Sequence, residues 1–214
     1  MKTELVFILD RSGSMRGLEK DTIGGFNAMI DKQKTDGEEV FVTTVLFDHE
    51  VEKLHERVAI QKVEALTEKE YYVRGCTALI DAIGSSIDGM IRWQKRLSTA
   101  DKADKVIFVI TTDGYENASK KYSASEVKQM ISYQKEKYDW EFLFLGANID
   151  AVAEAKKFGI EEDRAVTFLN DSQGVRLNYE VVSETILEMK ECPTSRVDNS
   201  WKKKIERDFL KRKK

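Results

Sequence analysis

Three short stretches of this chain carry oxygen-bearing side chains of the kind that hold a hard cation. The first is Asp10-Arg11-Ser12-Gly13-Ser14-Met15, a carboxylate and two hydroxyls at alternate positions directly after the apolar run Leu5-Val6-Phe7-Ile8-Leu9. Gly13 lets the backbone turn tightly enough to bring all three side chains to one point. Hard oxygen ligands with little negative charge suit a Mg²⁺ that retains some of its waters. The same residues also read as a polar turn after a strand, with Ser14 capping the next helix. The other two stretches are Gly75-Cys76-Thr77 and Asp113-Gly114. Which reading holds depends on the elements that carry them.

Leu5 to Leu9 is too short for a helix and reads as a buried strand. Asp21 to Lys34 follows as an amphipathic helix with Ile23, Phe26 and Ile30 on one face, ended by Asp36-Gly37. Within it, Gly24-Gly25 lowers helix propensity and allows close packing on the sheet. Glu39 to Phe47 is dense in β-branched and aromatic residues, hence a strand. After the turn Asp48-His49-Glu50, residues Val51 to Ile60 pair back as an antiparallel edge. A long helix follows Ala78, with Leu79, Ile83, Ile87, Met90 and Ile91 on its apolar face. Val106 to Ile110 is a strand covered on both faces and runs into Thr111-Thr112-Asp113-Gly114. Ser123 and Glu126 form a capping box for a helix reaching about Tyr138. Trp140 to Leu145 is another buried strand, and the helix from Asp150 to Phe158 stops at Gly159. Ala165 to Leu169 is the last strand and Ser172 to Met189 the last helix of the packed unit, which Pro193 closes.

Alternating strands and helices, most strands apolar throughout, predict an α/β doubly wound, Rossmann-like sheet. It is mostly parallel, with one antiparallel edge strand and helices on both faces. Ligands of such sheets sit outside the carboxyl ends of the strands, near the point where the strand order reverses. Asp10, Thr77 and Asp113 each follow or face that edge.

In type and order the segments Asp10-Arg11-Ser12-Gly13-Ser14-Met15, Thr77 and Ile110-Thr111-Thr112-Asp113-Gly114 resemble the metal-ion-dependent adhesion site (MIDAS) of a von Willebrand factor type A (vWA) domain. The resemblance covers about residues 3–190 and is of the bacterial stand-alone type. It implies a metal site of Asp10, Ser12, Ser14, Thr77 and Asp113, with the hydroxyls binding directly and the two carboxylates acting mainly through waters. The implied metal is Mg²⁺, with Mn²⁺ or Ca²⁺ as substitutes, and the implied partner is a protein that offers an Asp or Glu carboxylate. The rim expected to set specificity comprises Arg11, Met15 and Arg16, then Tyr72, Val73, Arg74, Gly75 and Cys76, then Tyr115, Glu116 and Asn117; each also reads as plain exposed loop. Small domains of this kind resemble those of stress-response or tellurite-resistance operons and partners of ring ATPases.

Bulk composition agrees with an ordinary globular protein: 214 residues, 41% hydrophobic and 34% charged, with no apolar stretch near the roughly 20 residues that span a bilayer. The amino terminus has no signal-peptide pattern, and Cys76 and Cys192 have neither disulfide nor zinc spacing, so a cytoplasmic location is expected. Cys76 reads as a small buried filler or as a redox-sensitive neighbour of Thr77, and His49 and His55 as surface residues. Net charge is −3, divided into −9 for residues 1–200 and +6 for residues 201–214. We therefore divide the chain into a domain, 1–192, and a basic amphipathic tail, 193–214, with Trp201, Ile205 and Phe209 on one face. That stripe docks on its own domain or meets nucleic acid or an anionic surface. The complete hydroxyl-rich set without a nucleophile–base pair points to a non-enzymatic binding module. A Mg²⁺-dependent phosphoesterase using Asp10 is the enzymatic alternative, and it lacks a second Asp two residues on, where Ser12 stands.

Overall fold

The computed structural model describes residues 1–35, 37–191 and 198–213, so Asp36, Cys192, Pro193 and Lys214 lie outside the described residues. Six strands form one sheet: β1 (Lys2–Asp10), β2 (Glu39–Phe47), β3 (Val51–Ala59), β4 (Lys105–Thr112), β5 (Glu141–Ala147) and β6 (Ala165–Phe168). Their order is β3-β2-β1-β4-β5-β6, all parallel except the β2–β3 pair. The chain thus moves outward from β1 to β3, then returns to β4 on the other side of β1. The carboxyl ends of β1 and β4, paired Leu9 to Thr111, mark that reversal.

Successive β1 side chains point to opposite faces. Leu5, Phe7 and Leu9 join the core under α1 (Glu19–Lys34), α5 (Ser172–Glu191) and α6 (Lys203–Arg212). Val6 and Ile8 join the core under α2 (Leu79–Arg96), α3 (Ala124–Tyr138) and α4 (Ala151–Lys157). β4 is buried along its whole length, as a strand sandwiched by helices must be. The capping box of α3 is formed, Ser123 accepting from the Glu126 amide and Glu126 from the Ser123 amide. Gly159 adopts φ +76 just past α4, the left-handed stop expected there.

Three expectations change. Ser14 caps no helix: it lies in a 3-10 turn, Gly13–Met15, and α1 begins five residues later with Leu18 at its N-cap. Gly25 makes room for the Tyr179 ring of α5, which any Cβ would overlap, so the close approach is helix to helix, not helix to sheet. His55 points inward from β3, 9% exposed, with Nδ1 3.0 Å from Thr44 Oγ1, and is no surface residue. The tail helix α6 packs on α5 and β6: Trp201 and Ile205 lie in the first core, and the Trp201 indole donates to the Asp163 carbonyl at 2.8 Å.

Candidate metal centre

Asp10 ends β1 and is 1% exposed. Its Oδ1 accepts from the Ser12 amide at 2.7 Å and its Oδ2 from Thr112 Oγ1 at 2.6 Å. The turn that follows brings Ser12 Oγ to 3.2 Å from Ser14 Oγ, and Ser14 Oγ donates to Asp113 Oδ1 at 2.5 Å. The other Asp113 oxygen accepts from Asn170 Nδ2 at 2.9 Å. Thr77 reaches the same space from the loop before α2. A Cβ placed on Gly114 would stand 2.9 Å from Thr77 Oγ1 and 3.6 Å from Ser14 Oγ. Glycine at 114 therefore leaves open the space between those hydroxyls.

Three loops are laced together around this point. The Gly13 amide donates to the Gly75 carbonyl at 3.2 Å, and Gly75 takes φ +66, a backbone region that glycine enters without steric cost. From the other side, Asn117 and Thr77 exchange bonds: Asn117 Oδ1 accepts from the Thr77 amide at 2.9 Å and the Asn117 amide donates to the Thr77 carbonyl at 3.0 Å. Glu116 turns inward, accepting from the amides of Ile80, Ala118 and Ser119, and so caps the start of α2 instead of facing outward. Tyr71 Oη supports Asp10 from below with a 2.5 Å bond to its carbonyl.

Burial dominates the electrostatics. It pushes the Asp10 carboxyl up to about 6, against the pull of the Thr112 and Ser12 donors and with a further push from Asp113. Asp113 is raised too, again by burial first, with the Ser14 and Asn170 donors opposing. Two carboxylates crowded into one buried spot are a place where a cation would relieve the cost of ionisation. The donor set fits a small hard ion. Cis oxygens of an octahedral Mg²⁺ shell lie about 3 Å apart, close to the Ser12–Ser14 separation of 3.2 Å.

Of the rim expected from sequence, Arg16, Gly75, Cys76, Tyr115 and Asn117 are exposed, as is Tyr72. Cys76 is a free, exposed thiol, not a buried filler. Met15 is 3% exposed and packs inward. Arg11 is fully buried and is not on the rim: its guanidinium is committed to Asp48 and Glu52, each at 2.8 Å. Thr112, Asn170, Asp48 and Tyr71 shape the site without having been singled out from sequence. Asn170 and Asp48 each follow a strand at its carboxyl end, which was the available signal; Tyr71 gave none.

A second group of donors, Asp48, His49 and Glu50, has ligand atoms within 4.8 Å of one another. Asp48 Oδ2 already accepts from Arg11 Nε and Arg74 Nε, and Glu50 Oε2 from Arg74 Nη2. Two guanidinium charges thus supply the neutralisation that an ion would supply. Those donors, with the Glu50 amide, hold the Asp48 carboxyl low despite its burial.

No family model matches the sequence, and no relative is found among curated proteins. Solved structures do match. The vWF domain of the type V pili tip protein Mfa5 from Porphyromonas gingivalis superposes with TM-score 0.64 at 13% identity, over 92% of this chain and 97% of that one. The PilB minor pilin from Streptococcus sanguinis matches with TM-score 0.60 at 12% identity, over 92% of this chain and 64% of that one. PTMP1 from the mussel byssus, with a zinc-occupied MIDAS motif, matches with TM-score 0.57 at 15% identity, over 86% of this chain and 45% of that one. This chain therefore spans less than two thirds of the pilin and about half of the byssus protein. The chain has the von Willebrand factor type A fold.

Proposed function

We propose that this protein is a non-enzymatic, metal-dependent protein-binding module. Ser12, Ser14 and Thr77 would hold Mg²⁺ through their hydroxyls, while Asp10 and Asp113 would accept hydrogen bonds from its waters. When bound by neutral hydroxyls, the ion keeps much of its positive charge and leaves a coordination position for an outside oxygen. A carboxylate of a partner protein fits that position in charge and hardness. The observation behind the reading is the convergence of five oxygen-bearing side chains from three loops at the reversal point of the sheet.

The environment of Asp10 speaks against a phosphoesterase. Both of its oxygens are engaged by donors and the residue is 1% exposed, whereas a nucleophile needs a free, accessible oxygen. Titration with Mn²⁺ tests the proposal, with water-proton relaxation reporting the waters left on the bound ion. One Mn²⁺ per chain is expected, losing a water when acetate is added, and much weakened in Thr77→Ala. A Thr77→Ala variant that binds as tightly as the parent would contradict the ligand set.

A further inference from the structure

Arg11 stands between two of the site's oxygen donors in sequence, yet it is the largest fully buried side chain among the described residues. Its Nε bonds Asp48 Oδ2 at 2.8 Å, its Nη2 bonds Glu52 Oε2 at 2.8 Å and its Nη1 donates to the Glu70 carbonyl at 3.2 Å. Asp48, also fully buried, takes a second guanidinium on the same oxygen: Arg74 Nε at 2.7 Å. The other Asp48 oxygen accepts from the Glu50 amide at 2.9 Å, and Arg74 Nη2 reaches Glu50 Oε2 at 2.8 Å. The Tyr72 ring lies 5.3 Å from the Arg11 guanidinium and 5.6 Å from that of Arg74.

The backbone follows the same pattern. The Arg74 amide donates to the Arg11 carbonyl at 2.9 Å, and the Ala78 amide to the Asp48 carbonyl at 2.7 Å. Asp48 is therefore tied to the loop that carries Ser12 and Ser14 through Arg11. It is tied to both ends of the loop that carries Thr77 through Arg74 and Ala78. A carboxylate between two guanidiniums is held in place by charge as well as by shape, and in a buried setting such bonds are strong and directional.

We propose that Arg11, Asp48 and Arg74 form a charge clamp whose role is to position the Thr77 loop against the Ser12–Ser14 loop, so that the three hydroxyls stand ready before a cation arrives. None of the three would touch the ion. The proposal rests on reading the five oxygens as a metal site. Its physical content is preorganisation: without the clamp, ordering the two loops is deferred to the binding step and weakens it. Groups that orient metal ligands from behind typically change affinity by about 10- to 100-fold when removed.

Removing Asp48 would strip the buried Arg11 Nε of its buried carboxylate, leaving only the half-exposed Glu52 to balance the charge, and threatens folding itself. Arg74 is the better target, since its side chain is 34% exposed and its loss leaves the Arg11–Asp48 pair intact. Full-length Arg74→Ala is expected to unfold within a few degrees of the parent. It should bind Mn²⁺ about tenfold or more weakly, and its metal-free Gly13 and Ala78 amides should exchange faster. Arg74→Lys should recover part of the affinity, because one ammonium can reach Asp48 but cannot bridge it to Glu50. Unchanged Mn²⁺ affinity and unchanged exchange in Arg74→Ala overturn the clamp while leaving the metal site standing. A parent protein that binds no Mn²⁺ overturns the metal site itself, and the positioning role with it.

Discussion

Asp10 has a carboxyl raised from 3.8 to about 6, chiefly by burial, and this fixes the sign of two pH effects. A folded-state value above the unfolded one means that the native metal-free protein holds this proton more tightly. The associated stability is present below about pH 4 and is lost as pH rises through about 6, some 3 kcal/mol in all. Metal-free Asp10→Asn is therefore expected to be more stable than the parent at pH 8, with the gap closing toward pH 4 in urea titrations. The amide fits the existing partners: its oxygen can keep the Ser12 amide, and Thr112 Oγ1, which also bonds the Gly114 carbonyl, can accept from its nitrogen. The second effect is competition between proton and metal. Mg²⁺ affinity, followed by calorimetry, should be level above about pH 6.5 and fall by up to about tenfold per pH unit below 6. Affinity that stays flat down to pH 5 would separate Asp10 from the metal.

At the scale of elements, the helices and strands were largely legible because each announces itself locally. Ser123 and Glu126 are three residues apart, and Val106 to Ile110 carries no polar break. The capping box gives a direct test: Ser123→Ala should cost about 1 kcal/mol in chemical denaturation, as it frees the Glu126 amide. What depended on distant partners was not legible. Arg11 looks like an exposed loop residue because its neutralising groups, Asp48 and Glu52, arrive from 37 and 41 residues away. His55 turns inward for the same kind of reason: its partner, Thr44, lies on the adjoining strand. Gly24-Gly25 signalled a close approach, but the residue it accommodates, Tyr179, lies on α5 far along the chain. Gly25→Ala should therefore lower stability by about 1–3 kcal/mol, the usual range for overpacking, whereas the same change at Gly24, where a Cβ meets open space, should raise it by up to about 1 kcal/mol through helix propensity.

At the scale of the whole molecule, the sheet does most of the assembly. Its order reverses between β1 and β4, which sets Asp10 and Asp113 side by side although they are far apart in sequence. Alternation of strands and helices was enough to anticipate that edge, and Ser12, Ser14 and Asp113, expected from the resemblance to gather there, do meet through their side chains. The supporting residues Thr112, Asn170 and Tyr71 were not anticipated, since a hydrogen bond to a carboxylate, or from Tyr71 to the Asp10 carbonyl, leaves no periodic trace in sequence. The tail is part of this assembly: Trp201 is 6% exposed and Ile205 1%. Trp201→Ala should destabilise the protein by about 3–5 kcal/mol, a loss that a tail projecting into solvent would not show. Among the described residues no helix is long and apolar enough to cross a membrane.

The central claim is that Ser12, Ser14 and Thr77, backed by Asp10 and Asp113, form one metal site. Thermal unfolding with and without Mg²⁺ or Mn²⁺ tests it most directly, on the parent protein, Asp10→Ala and Thr77→Ala at pH 7.5. At metal concentrations about 100 times the dissociation constant, the parent should gain about 2.7 kcal/mol, or about 5–10 °C in Tm. Both variants should gain much less. Equal gains in all three proteins would contradict the account.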